Sequence, residues 1–214
     1  TLRVFPNALE ALVREIRHNV RGHGVYVLGI THPRAVWYYF PVALAIKLGL
    51  SVLALLAGLV AFRRRALRNG LLAATALLLL FSVTYRVQIG VRLVLPLVGL
   101  LLTGLAVASV TAFPERSRVF LFAAPALLAL ESASAFPDAL RFTNALSGGM
   151  ATGHLRLSDS NADWGQGLPA LAAWAETRGV SRLDVWYFGT DPRIDRPPFR
   201  MVRLNEAPGP RLAD

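Results

Sequence analysis

Four long apolar runs occupy the middle of the chain: Trp37 to Phe62, Gly70 to Tyr85, Leu93 to Phe113 and Val119 to Pro137. A helix needs about 20 mostly apolar residues to cross the hydrocarbon core of a bilayer, and the first, third and fourth runs reach that length. The second has about 16 residues, short of that mark, but closes a hairpin with the third. Backbone N–H and C=O groups in lipid have no water to bond, so such runs must be helical. The pattern predicts a mainly α membrane protein with four transmembrane helices over 37–137. An interfacial N-terminal helix and loop precede them over 1–36, and a small soluble α/β module follows over 138–214.

Composition fits a membrane protein. Hydrophobic residues make up 54% of the chain and mean hydropathy is +0.46, above the soluble norm. A formal charge of +10 would point to nucleic acid in a soluble protein. Here the arginines flank apolar runs and line loops, so membrane lipids are the expected partners and nucleic acid is not. The absence of Cys excludes disulfide and thiolate chemistry. No signal peptide is visible and the chain opens on Thr1 rather than Met, which leads to the expectation of a C-terminal part of a longer protein.

Arginine placement predicts orientation. Arg63, Arg64, Arg65 and Arg68 lie between the first two runs, and Arg116 and Arg118 between the last two. Short Arg-rich loops stay in the cytoplasm. Both termini and the Arg86–Arg92 loop are then extracytoplasmic, at the inner membrane, with Trp37, Tyr38, Tyr39 and Phe40 as an outer aromatic belt. Before the first run, Leu9, Leu12, Val13, Ile16 and Val20 recur at helical intervals opposite charged residues, as in a helix lying on a bilayer surface or against the spans. Asn7 and Glu10 have capping-box spacing, and Gly22 and Gly24 end the helix.

Beyond Asp138 the chain turns polar. His154–Ser158 reads as a strand, Leu168–Arg178 as an amphipathic helix stopped by Gly179, Arg182–Phe188 as a second strand and Phe199–Leu204 as a third. Strand, helix and strand at this spacing predict a right-handed βαβ unit.

Within the runs, the hairpin Arg86-Val87-Gln88-Ile89-Gly90-Val91-Arg92 sets two permanent cations at the membrane surface. Their planar forks suit a lipid phosphate, and equally they could snorkel to headgroups. Gly90 permits a tight turn or a close approach, and Pro96 would kink the next helix or sit in its first turn. Lys47 lies roughly 15 Å into the first run at helical rise. Glu131 is a buried carboxylate in the fourth run, so the two could pair structurally or face a substrate. His18, His23 and His32 match no metal-ligand spacing, so no metal is expected, and His23 is retained as an interfacial or phosphate-facing group. In the tail, Asp159, Asn161, Asp163, Trp164 and Gln166 form a dense polar turn ahead of a helix. It could serve the fold alone or take a sugar.

The ordered set of Trp37-Tyr38-Tyr39-Phe40-Pro41-Val42-Ala43, Gln88-Ile89-Gly90-Val91-Arg92 with Leu95-Pro96, Asp159-Ser160-Asn161 with Asp163-Trp164-Gly165-Gln166, and Gly189-Thr190-Asp191-Pro192 resembles bacterial membrane glycosyltransferases of the GT-C type. These are related to glycosyltransferase family 39 and the protein mannosyltransferases. The resemblance covers about Asn19 to Pro192. It implies a multi-span bundle that uses a polyprenyl-phosphate-linked sugar, without a further cofactor, on the extracytoplasmic face. It implies that the hairpin of Arg86, Gln88, Gly90 and Arg92 approaches the donor's lipid phosphate, and it assigns the tail no role beyond support or acceptor handling. His23, Lys47, Asp159, Asn161, Asp163, Trp164 and Gln166 stay candidates for facing substrate. The acceptor, whether glycan, lipid or protein, is left open.

Two departures qualify the match. Relatives often carry Lys-Thr-Pro where this chain reads Lys47-Leu48-Gly49, and the family's acidic catalytic base lies in a first outer loop that nothing here matches. The expectation is therefore a C-terminal part, inactive alone, of an inverting transferase. The rival classes are a non-catalytic membrane scaffold and a transporter subunit, which should show broken helices and midplane polar sites.

Overall fold

The computed structural model describes residues 7–113 and 119–202. Arg116, Arg118 and the Leu204 end of the third expected strand lie outside the described residues. The chain divides into two compact units, Thr1–Ala162 and Asp163–Asp214.

The first unit opens with α1 (Ala8–Arg21) and an antiparallel hairpin of β1 (Val25–Val27) and β2 (Ile30–His32), registered Val25 to His32. The apolar helices follow: α2 (Tyr39–Lys47), α3 (Leu50–Phe62), α4 (Gly70–Val83), α5 (Leu95–Ala112) and α6 (Val119–Ser134). A single-turn α7 (Gly149–Thr152) and several 3₁₀ turns complete it.

The expectation of four transmembrane helices is overturned. Among the described residues, one helix is long and apolar enough to cross a membrane, Val91–Ala112 counting its 3₁₀ entry turn, or two if α2 and α3 form one bent span. The physical reason is helix length. At about 1.5 Å rise per residue, α4 with its 14 residues reaches only about 21 Å, against a hydrocarbon core about 30 Å thick. At the same rise α6 with its 16 residues reaches only about 24 Å, and Pro125 lies inside that helix. The first apolar run does not continue as one rod, since α2 and α3 meet at 112°. Composition could not separate a long apolar run from a long straight helix.

The break at Lys47–Gly49 is built by polar groups supplied from elsewhere in the chain. Asn144 closes the end of α2, its Nδ2 donating to the carbonyls of Ala45 (2.7 Å) and Leu48 (3.0 Å) and its backbone N–H to Ile46 (3.0 Å). Glu131 caps the start of α3, accepting from the N–H groups of Leu50 (2.7 Å) and Ser51 (3.4 Å) and from Ser51 Oγ (2.7 Å). The orphan groups that any helix end carries are thus satisfied on both sides of the bend. Glu131 does not pair with Lys47; it is a helix cap. Gly49 is required for close approach, because a Cβ there would lie 2.4 Å from Glu131 Oε2.

Two apolar clusters hold the unit. One joins Val25 and Val27 of β1 to Tyr39, Phe40, Ala43 and Leu44 of α2, with Val94, Leu97 and Leu157. Tyr39 and Phe40 are therefore buried core, not an outer belt, while Trp37 is 68% exposed. The other cluster packs α3 on α5 through Val52, Leu59, Leu101, Leu105 and Ala108. In α1 the apolar face is exposed as expected, but Asn7 makes no side-chain cap and Glu10 pairs with Arg14 instead (2.9 Å).

The unit boundary falls at Ala162, beyond the expected start of the soluble module at Asp138. Residues 138–161 are sewn to α2 by the Asn144 bonds and others described below. His154–Ser158 is not a strand. Gly153–Leu155 forms a 3₁₀ turn and Leu157 makes one bridge to Val27. The expected βαβ unit loses its first strand for that reason.

In the second unit, α8 (Leu168–Thr177) precedes β3 (Leu183–Val185), which pairs in parallel with β4 (Phe199–Met201). Arg200 closes a bidentate pair on Asp184 across the two strands (both 2.7 Å) and holds its carboxyl below the usual carboxylate range.

Replacing Asn144 by Ala removes two part-buried bonds to the carbonyls of Ala45 and Leu48 and should destabilise the chain by about 1–3 kcal/mol in a denaturation experiment, whereas Asn144→Gln should recover part of the loss. Because the Asp184 pKa is depressed on folding, the stability it contributes is present above its ordinary value and lost as pH falls below it. An Asp184→Asn variant should flatten that acid-side slope in the β3–β4 amide exchange rates.

Candidate functional site

The hairpin at 85–94 is assembled between α1, α2 and the 3₁₀ turn Asp159–Asn161. Gly90 adopts φ 139°, a conformation suited to glycine. A Cβ at this position would lie 2.2 Å from Ser160 Oγ. Ser160 Oγ in turn donates to the carbonyl of Ile89. Asn161 is the hub: its Nδ2 donates to the Tyr39 hydroxyl (2.8 Å) and the Ser158 carbonyl (3.2 Å), and its Oδ1 accepts from the Val91 N–H (3.1 Å). Three sequence segments singled out by motif thus meet in space at one buried amide.

Gln88 is buried and its amide is spent on the backbone. Oε1 accepts from Val36 N–H (2.9 Å), and Nε2 donates to the carbonyls of Val36 (2.6 Å) and Tyr85 (3.2 Å). It pins the hairpin to the lead-in of α2 and does not face a ligand. Lys47 is likewise spent. Its ammonium has three protons, and they go to the carbonyls of Leu140 (2.7 Å), Phe142 (2.8 Å) and Asn161. An ammonium bonded to three carbonyls is a staple holding 140–161 against α2.

What the hairpin leaves outward is its arginines. Arg86 and Arg92 are exposed. The backbone of Arg86 is fixed by Asn19, whose Oδ1 accepts its N–H (2.7 Å), and its guanidinium makes one long contact to the Val20 carbonyl (3.5 Å). Tyr85 donates to Glu15 (2.5 Å), so α1 fixes the hairpin at two consecutive residues. Between the arginines' neighbours opens an apolar cleft of about 240 Å³, walled by Tyr85, Leu93, Phe40, Phe81 and Pro96. Pro96 sits in the first turn of α5 and does not kink it.

Asp159, at φ 58° in the left-handed region, accepts the Ser160 N–H (2.6 Å) and stays exposed beside the hairpin turn. His23 follows Gly22, whose backbone lies close to Arg86, and its Nδ1 is 3.1 Å from the Gly24 carbonyl and its ring 5.5 Å from that of His18. Asp163, Trp164 and Gln166 belong to the second unit. There Asp163 accepts the Gly165 N–H (2.9 Å), Gln166 accepts the Trp164 N–H (2.6 Å), and the Trp164 ring meets Phe188 edge-on. Those are the contacts of a fold-forming turn. Among the described residues no three His, Asp or Glu side chains are grouped to hold a metal ion.

Motif reading missed Asn144, Glu15 and Asn19. Each acts through a contact distant in sequence, and none stands in a pattern that marks it.

Comparison with protein-family models, with curated proteins and with solved structures gave no match.

Gly90→Ala should force Ser160 away from the hairpin and strain the turn, raising amide exchange selectively at 86–94 and 158–161. Tyr39→Phe, which removes one bond of the Asn161 hub, should give a smaller change confined to the same segments.

Proposed function

We propose that this chain contributes the donor-phosphate site of a membrane glycosyltransferase using a polyprenyl-phosphate-linked sugar. The observation that carries the reading is the pairing at the hairpin of two outward guanidinium groups with an apolar cleft walled by their neighbours Tyr85 and Leu93. A polyprenyl phosphate has that same two-part chemistry, an apolar chain ending in an anion. Arginine forks bind phosphate oxygens in pairs, and the cleft offers the chain a surface outside water. The motif resemblance supports the same assignment and supplies the reaction class.

In the transfer, the acceptor hydroxyl gives its proton to a carboxylate general base as its oxygen attacks the anomeric carbon, and the bond from that carbon to the phosphate oxygen breaks. Negative charge then builds on the leaving phosphate, where Arg86 and Arg92 would stabilise it as fixed cations. Gln88, Gly90, Asn161 and Lys47 act through the hairpin as positioning residues. We place the hairpin at the extracytoplasmic surface of the inner membrane, with α5, which is long enough to cross, in the bilayer.

The detergent-solubilised chain should bind a polyprenyl-phosphate sugar, and the Arg86→Ala, Arg92→Ala double variant should bind it at least about tenfold more weakly through loss of charge-assisted bonds. Equal binding by both proteins would exclude the hairpin as the phosphate site.

A further inference from the structure

The turn joining α3 to α4 carries Arg63, Arg64, Arg65 and Arg68, and it is not a loose loop. Arg64–Leu67 is a 3₁₀ turn closed by bonds from Ala66 N–H to the Arg63 carbonyl (2.8 Å) and from Arg68 N–H to the Arg65 carbonyl (3.2 Å). Ala66 and Leu67 pack into the α3–α5 cluster. Asn69 caps α4, its Oδ1 accepting the Leu72 N–H (3.0 Å), and its Nδ2 donates across to the Gly104 carbonyl of α5 (3.2 Å). The two apolar residues and the cap are thus held inward, and the four guanidinium groups fan outward from a fixed backbone.

They surround an open cavity of about 640 Å³ where the end of α3, the start of α4 and the end of α5 converge. Among the described residues no carboxylate pairs with any of the four. The single side-chain hydrogen bond they make there runs from Arg63 to the carbonyl of Phe62 (3.3 Å). The other polar side chains at the cavity are occupied, Asn69 as the cap and Thr111 with the carbonyls of Val107 and Ala108. One side of the cavity is apolar, with Phe62 80% and Val107 42% exposed.

We propose that this cavity binds the phosphate headgroup of an anionic phospholipid. Four cations without carboxylate partners, on a fixed turn, call for an anion with several acceptor oxygens. Exposed Phe62 and Val107 at the cavity, with Val60 and Val110 further along α3 and α5, favour a lipid over a free anion, because its acyl chains cover apolar surface. This site lies apart in sequence from the hairpin site. It rests on the membrane placement proposed above and not on the sugar donor.

The test uses the full chain in a non-ionic detergent, with short-chain phosphatidylglycerol, short-chain phosphatidylcholine and inorganic phosphate as probes. Phosphatidylglycerol should bind at least about tenfold more tightly than phosphatidylcholine. The variant R63Q/R64Q/R65Q/R68Q should lose that preference, while R14Q/R17Q/R21Q/R34Q, which removes as many charges elsewhere, should keep it. Equal affinity of the unaltered chain for the two lipids overturns the proposal, whether or not the first variant folds. Displacement of phosphatidylglycerol by inorganic phosphate at a similar concentration overturns the lipid assignment in favour of a free-anion site. Carbonate extraction from phosphatidylcholine vesicles separates the two readings. Release of the chain sinks the membrane placement and this site together, whereas a retained chain without headgroup preference sinks this site alone.

Discussion

The break between α2 and α3 is the constraint on which the rest of the first unit depends. A 112° bend in an apolar run exposes helix-end carbonyls and N–H groups that need partners. The partners come from Asn144 on one side and Glu131 on the other. Satisfying the break therefore fixes α6 against α3 and the 138–161 segment against α2. With that segment in place, Asn161 reaches Tyr39 and the hairpin, and Lys47 closes the arrangement by donating to three carbonyls of the same segment.

This arrangement changes what the polar residues of the apolar runs signify. Charged and amide groups in such runs are costly and invite a functional reading. Here Lys47, Glu131, Gln88 and Asn161 are all occupied by backbone or capping bonds, and no buried side-chain polar atom among the described residues lacks a partner. The cations that the fold leaves at the surface of these turns are Arg86 and Arg92 at the hairpin and the arginines of the α3–α4 turn. Both sets stand on turns whose backbones are fixed, the first by Asn19 and Gln88 and the second by Asn69. A fixed turn presents a cation with less ordering cost on binding than a free loop does.

Much of the local structure was legible in the sequence. The amphipathic pattern of α1, the Gly22 stop, the hairpin around Gly90 and the helix and later strands of the second unit all appear where composition and spacing place them. These are decided by neighbours within one or two turns of chain. The polar turn at 159–166 was legible as a turn, but the division between units, which falls inside it, was not. The hairpin arginines were legible as exposed cations, whereas the burial of Gln88 was not, because its partner Val36 lies far away in the chain.

The sequence by itself determined where apolar helices would form and which turns would carry cations, because apolar composition, glycine and arginine act locally. Only the tertiary structure decided how many of those helices are long enough to span a bilayer, and which polar residues are spent inside the fold. Helix length turned on the break at Gly49, stabilised by carboxylate and amide groups more than eighty residues distant. The fate of Lys47, Gln88 and Asn161 turned mainly on acceptors and donors also distant in the chain, and long-range hydrogen bonds leave no periodic trace in a sequence.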